Sequence, residues 1–210
     1  MGENFVTKAL KILEERDRVR EDILRITRDI VRHSRRTVMY THLGDKDKAS
    51  KALNEAAKFV EKIRGLRQTY PDLYFTGTVL SSLSEYSEAL LLYRYVFEGE
   101  LIGPDEVEVE PAAYLLGLSD LIGELRRYML ALIQKNYFTL AKRVLATMEK
   151  IYNSLIEVVL PEALVPGLRR KLDINRITIE NSRKDLLFYE RSYSLLEELE
   201  KVTSEDAASI

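Results

Sequence analysis

Two short stretches of this chain hold acids at spacings that suit chemistry. In SSLSEYSEALLLYRYVFEGE, residues 81–100, Glu85 and Glu88 stand three apart. On a helix that puts them on one face, one turn from each other. The same face continues to Leu92 and Tyr95, so the pair heads toward packed surface rather than open water. In AAYLLGLSDLIGELRRYML, residues 112–130, Asp120 and Glu124 stand four apart on a face that also carries Ala113, Gly117 and Tyr128, with Gly123 beside it. Small residues there would admit another helix at close range. Acids turned toward packing need partners or a cation. Four carboxylates gathered in one place raise each other's pKa until a cation neutralises them. Hard oxygen donors without sulfur or imidazole suit Mg²⁺, with Mn²⁺ as a substitute, and either ion can promote phosphoryl-transfer chemistry. The plainer reading of the same acids is structural: ion pairs with Arg94, Arg126 or Arg127. A di-iron site is disfavoured, because neither His33 nor His42 follows a Glu by three residues as E-x-x-H requires.

The elements that must position these acids are helical. With 210 residues, 46% hydrophobic and 31% charged, nine glycines and five prolines, the chain suits one fairly large all-α domain. Apolar periodicity, glycines and prolines predict helices over 5–41, 46–70, 79–97, 111–135, 138–160 and 168–202. Residues 71–78 read as a loop anchored by aromatics, and 98–110 as an acidic connector in which Asp105 and Glu106 can cap one short turn. A single all-α domain is expected over 1–202, with a flexible tail at 203–210. Several of these helices exceed 20 residues, which is long for a compact monomer, so an oligomer is expected.

Net charge is −2 and the pI is near 5.9, so bulk electrostatics would not draw the chain to nucleic acid or an anionic membrane. Local segregation can. Residues 30–44, IVRHSRRTVMYTHLG, hold three arginines, two histidines and no acid, whereas residues 98–110 hold six acids and no base. Ile23, Ile26, Thr27, Ile30, Ser34, Thr37, Val38 and Thr41 form one stripe of the first helix. Arg25, Arg28, Arg32, Arg35 and Arg36 lie roughly opposite. Arg28, Arg32, Arg35 and Arg36 are the candidates for holding the phosphates of a single strand; the alternative is a solvated face paired with Glu21, Asp22 and Asp29. His33 reads as a packing or solvent residue rather than a general base. Tyr70, Tyr74 and Phe75 can stack bases, but plugging the end of a bundle is the commoner role. The absence of cysteine excludes disulfides and thiolate catalysis and fits a reducing cytoplasm. No apolar run reaches the length of a membrane span, and no signal peptide or myristoylation pattern opens the chain.

Three segments carry a resemblance: RDIVRHSRRTVMYTHL (28–43), SSLSEYSEALLLYRYV (81–96) and YLLGLSDLIGEL (114–125). They resemble the translin family and, within it, the translin-associated factor X (TRAX) branch, with similarity running from about residue 23 to 192. That resemblance implies an all-α protomer, assembly into a closed octameric barrel, and binding of single-stranded RNA or DNA. For the TRAX branch it also implies Mg²⁺-dependent endoribonuclease activity. The E-Y-x-E-A pattern of that branch falls on Glu85 and Glu88, and the G-x-x-D-L-x-G-E-L pattern on Asp120 and Glu124. Translin itself lacks the acid at the place of Asp120. The loops here are shorter than in the eukaryotic factor, which suggests an archaeal version built from a single kind of chain.

The expected function is therefore cleavage of single-stranded RNA by a homo-oligomer whose four acids, Glu85, Glu88, Asp120 and Glu124, are both metal ligands and catalytic groups. A closed shell with sites inside would exclude duplex RNA by size. Two alternatives stand beside it: a non-catalytic single-strand-binding scaffold, and an all-α Mg²⁺-dependent nucleoside triphosphate pyrophosphatase. The latter also uses E-x-x-E helices, but the E-x-x-D second motif expected of it is missing.

Overall fold

The computed structural model describes residues 4–208. Among them all regular structure is helical: α1 (Phe5–His42), α2 (Lys46–Arg64), α3 (Pro71–Tyr74), α4 (Gly77–Glu98), α5 (Pro104–Val107), α6 (Pro111–Ile133), α7 (Phe138–Ile156) and α8 (Leu168–Ala208). No helix among the described residues is long and apolar enough to cross a membrane. Residues 209–210, the end of the expected tail, lie outside the described residues.

Several helix ends differ from the sequence pattern for local reasons. The second helix stops at Arg64 rather than near Tyr70. Gly65 N–H closes onto Glu61, after which Leu66 and Arg67 donate only three residues back, to Ile63 and Arg64. Such tightening ends a helix. Pro71 opens a one-turn helix instead of a loop, and Pro104 opens the short turn expected within the acidic connector, because proline's fixed φ and missing N–H suit the first helical position. Asp105 and Glu106 occupy the first turn of α5, where the helix dipole favours acids. The α8 backbone remains helical to Ala208, through most of the segment expected as a flexible tail.

The chain divides into two compact units, Met1–Leu118 and Ser119–Ile210, with the boundary inside α6. In the first unit α1 packs against α2 and α4, and α2 against α4. The buried stripe of α1 is Ile23, Thr27, Ile30, Ser34, Thr37 and Thr41. Thr27, Thr37 and Thr41 bury their hydroxyls by donating to the carbonyls of Leu24, His33 and Thr37 at 3.1, 3.0 and 2.8 Å. α4 is buried on most sides and carries Ser82, Ser84 and Ser87. The start of α6 presses into this row of small residues. A Cβ added to Gly117 would lie 2.6 Å from Ser87 Cβ, 2.7 Å from the Ser84 carbonyl oxygen and 2.9 Å from the Glu88 nitrogen. Only glycine permits that approach.

In the second unit α7 packs against α8, burying Ala141, Val144, Leu145, Met148, Ile151 and Leu155 along one face. α8 meets the rest of α6 through polar side chains. Lys171 pairs with Asp120, Asn175 donates to Ser119, and Arg126 reaches Ser182 and Asp185.

Candidate functional site

Glu85 and Glu88 sit half-buried on α4, with buried residues on both sides of each. Glu85 accepts two hydrogen bonds from Arg35 of α1, from Nε at 3.1 Å and Nη2 at 2.9 Å. This forked arrangement matches the planar guanidinium to the carboxylate. The Glu85 hydrogen bonds, then its charge and that of Glu88, raise Arg35 above its usual pKa. α1 and α4 thus bring one member of the predicted basic set onto one member of the predicted acidic set.

Asp120 and Glu124 are half-buried on α6. Asp120 forms an ion pair with Lys171 of α8, both side chains about seven-tenths buried. Glu124 lies 3.9 Å from Arg127, the one expected partner that reaches its acid. The other two are engaged elsewhere: Arg94 with Glu98 and Glu100, and Arg126 with Asp185 at 2.8 Å. Arg35 and Lys171, the cations that hold Glu85 and Asp120, are separated from them by 50 and 51 positions. No local spacing announces such pairs. Beside Asp120, Asn175 is buried and donates to both the carbonyl oxygen (3.0 Å) and the hydroxyl (2.8 Å) of Ser119. A polar row on α8, Lys171, Asn175, Thr178, Ser182 and Asp185, recurs every three or four residues and was the available signal for this packing.

Among the described residues no three His, Asp or Glu side chains are gathered as a ready metal cage. The donor chemistry nevertheless fits a hard divalent cation. All four acids offer oxygen, none is accompanied by sulfur, and Glu85 and Asp120 already attract a cationic group. A metal arriving at Glu85 would have to displace Arg35, and one arriving at Asp120 would have to displace Lys171.

The four predicted basic residues are brought together. Arg28, Arg32, Arg35 and Arg36 line a groove of about 790 Å³ between α1 and the start of α4, where Gly77, Thr78 and Ser81 form the other wall. The Arg28 Nε donates to the Leu24 carbonyl at 3.0 Å, and Arg32 pairs with Asp29 at 2.6 Å. Arg25, one turn earlier, pairs with Asp22 and is not part of the lining. Four guanidinium groups in one groove can hold successive phosphates.

His33 stacks on Phe59 with ring centroids 5.8 Å apart, and burial, then the charges of Arg32 and Arg36, lower its pKa. Packing is its visible role. Tyr74 is buried and donates to Glu110 at 3.2 Å; burial, followed by the Glu110 charge, pushes it up to about 12. It plugs the fold, whereas Phe75 is 60% exposed with the Arg67 guanidinium over its ring.

Comparison with known proteins adds an independent line. A family model described as the translin family matches residues 18–182. An uncharacterized protein of Methanocaldococcus jannaschii is 32% identical over 195 residues, covering 92% of this chain and 86% of that protein. Among solved structures, AfC3PO in complex with duplex RNA is 34% identical with a TM-score of 0.83, over 89% of this chain and 97% of that one. The crystal structure of AfC3PO gives 35% identity and the same score and coverage. Apo-NeC3PO, at 23% identity and a TM-score of 0.80 over 90% of this chain and 99% of that one, shares the fold.

Proposed function

The chain belongs to the translin family, and from that premise we propose that it is a Mg²⁺-dependent endoribonuclease of the TRAX-like branch, archaeal and built from a single kind of subunit. The observation that carries this reading is the pair of half-buried acid motifs, Glu85 with Glu88 on α4 and Asp120 with Glu124 on α6; by the resemblance described above, an acid at the place of Asp120 marks the TRAX-like branch.

In this reading the four carboxylates hold Mg²⁺, with Mn²⁺ as a substitute. Once bound, the cation supplies Lewis-acid stabilisation of the phosphodiester transition state. The chain's own groups do the rest. The arginines of the groove fix the strand by its phosphates, and Lys171 and Asn175 set the orientation of the helix segment bearing Asp120. A carboxylate oxygen accepts the proton released by the attacking water. Single-stranded RNA is the proposed substrate, with single-stranded DNA as a further ligand. AfC3PO holds duplex RNA, which argues against size exclusion of duplexes and makes duplex RNA the second substrate to assay.

Residues 1–202 would act as one translin-like domain, and the family match runs across the boundary between the two compact units. Subunits would assemble as a cytoplasmic homo-octamer. Exposed apolar side chains support assembly, among them Phe5, Leu13, Phe188, Leu195 and Leu196.

A second reading, a non-catalytic single-strand-binding scaffold, is favoured by the ion pairs that occupy Glu85 and Asp120. Glu88→Gln separates the two. The nuclease reading expects the variant to bind labelled single-stranded RNA while cutting at least a hundredfold more slowly, about 3 kcal/mol in the barrier. If wild type leaves RNA intact at every Mg²⁺ concentration, the scaffold reading stands. Hydrolysis of free nucleoside triphosphates with RNA untouched would instead identify the pyrophosphatase.

A further inference from the structure

We propose that Arg35 couples metal loading to strand binding: it covers Glu85 while the metal is absent and turns into the groove when a divalent cation takes that carboxylate. The inference rests on the reading of Glu85 as a metal ligand. Three observations carry it. Arg35 is committed to Glu85 by a forked pair of hydrogen bonds at 3.1 and 2.9 Å. The same side chain lines the 790 Å³ groove with Arg28, Arg32 and Arg36. It is also 70% exposed while Glu85 is 28% exposed, so the guanidinium can swing without unpacking the core.

The Nε/Nη2 edge that Glu85 holds is closed to a phosphate, so Arg35 can give the strand that fork only after releasing the carboxylate. The metal and the phosphate therefore act on the same equilibrium from opposite ends. Metal on Glu85 frees Arg35 for the strand, and a phosphate holding Arg35 uncovers Glu85 for the metal. By linkage each must strengthen the other by the same factor. For a pair this exposed, the factor is about fivefold.

The test uses the full chain, Mn²⁺ as the metal probe followed by the electron paramagnetic resonance of free ion, and a fluorescent 2′-O-methyl oligouridylate as the strand, followed by anisotropy. Wild type, Glu85→Gln, Arg35→Ala and the double variant form a cycle. In wild type, Mn²⁺ should tighten strand binding about fivefold. Glu85→Gln should bind the strand that tightly with no metal and gain nothing from Mn²⁺. Arg35→Ala should bind Mn²⁺ about fivefold more tightly than wild type, and its strand affinity should not respond to the ion. The double variant decides the cause: the gain from Glu85→Gln must vanish without Arg35. If that gain persists, Glu85 repels the strand directly and the coupling is refuted, with the metal site intact. Strand binding indifferent to Mn²⁺ that demonstrably binds refutes it as well. A wild-type chain that takes up no Mn²⁺ removes both this inference and the reading beneath it.

Discussion

Alanine at Gly117 and at Gly123 should change stability in opposite directions, although both positions lie on α6 and the chemical change is identical. At Gly117 the new Cβ meets Ser87 Cβ at 2.6 Å, the Ser84 carbonyl oxygen at 2.7 Å and the Glu88 nitrogen at 2.9 Å. Two of these three are backbone atoms and cannot rotate aside, so the first part of α6 must move away from α4. Overpacking of this kind costs about 1–3 kcal/mol. Alanine's helix propensity returns about 1 kcal/mol, leaving a net loss of up to about 2 kcal/mol. At Gly123 nothing lies within 4 Å, and only the propensity gain of about 1 kcal/mol remains. For a chain of this size each kcal/mol moves Tm by about 2–4 °C. Thermal unfolding followed by circular dichroism should therefore show Gly117→Ala melting below wild type and Gly123→Ala above it. Equal stabilisation by both would refute the close approach of α6 to α4, and with it the account of how the backbone bearing Glu88 is held.

Three further outcomes follow from side-chain geometry. Asn175→Ala should lower stability by about 1–3 kcal/mol in urea unfolding, because the buried Ser119 hydroxyl and carbonyl lose their donor. His33 has a pKa held below its usual 6.5 by burial and by Arg32 and Arg36. As pH falls through about 6.5 the unfolded chain takes up a proton that folded His33 does not, so stability declines until the folded group also titrates. His33→Gln should flatten that part of the stability–pH curve. Arg36→Ala, which removes one groove cation, should weaken binding across all single-stranded sequences and reduce the salt slope of log K by about 0.7.

Period and punctuation made much of this fold legible. The stripe from Ile23 to Thr41 repeats every three or four residues, and six of its eight predicted members are buried. Asp45 stands where the second helix needs a cap and accepts from Lys48 N–H at 3.1 Å. Pro71 misled in the other direction, since a proline at the first helical position opens a turn of helix as readily as it marks a loop. The acid pairs were legible because three- and four-residue spacings are local. Their cationic partners were not. Arg94 and Arg126 look well placed for the acids in sequence, yet they are drawn to Glu98, Glu100 and Asp185, while Arg35 and Lys171 come from helices far along the chain. Gly117 and Gly123 looked alike in the sequence, and only packing separates the crowded glycine from the exposed one.

The most direct test of the central claim is cleavage of a labelled single-stranded RNA across a Mg²⁺ titration, with wild type beside Asp120→Asn. The account predicts cutting that rises with Mg²⁺, is abolished by chelation, and falls at least a hundredfold in the variant while RNA binding persists. Cutting that continues in the chelator, or that Asp120→Asn leaves unchanged, would contradict it.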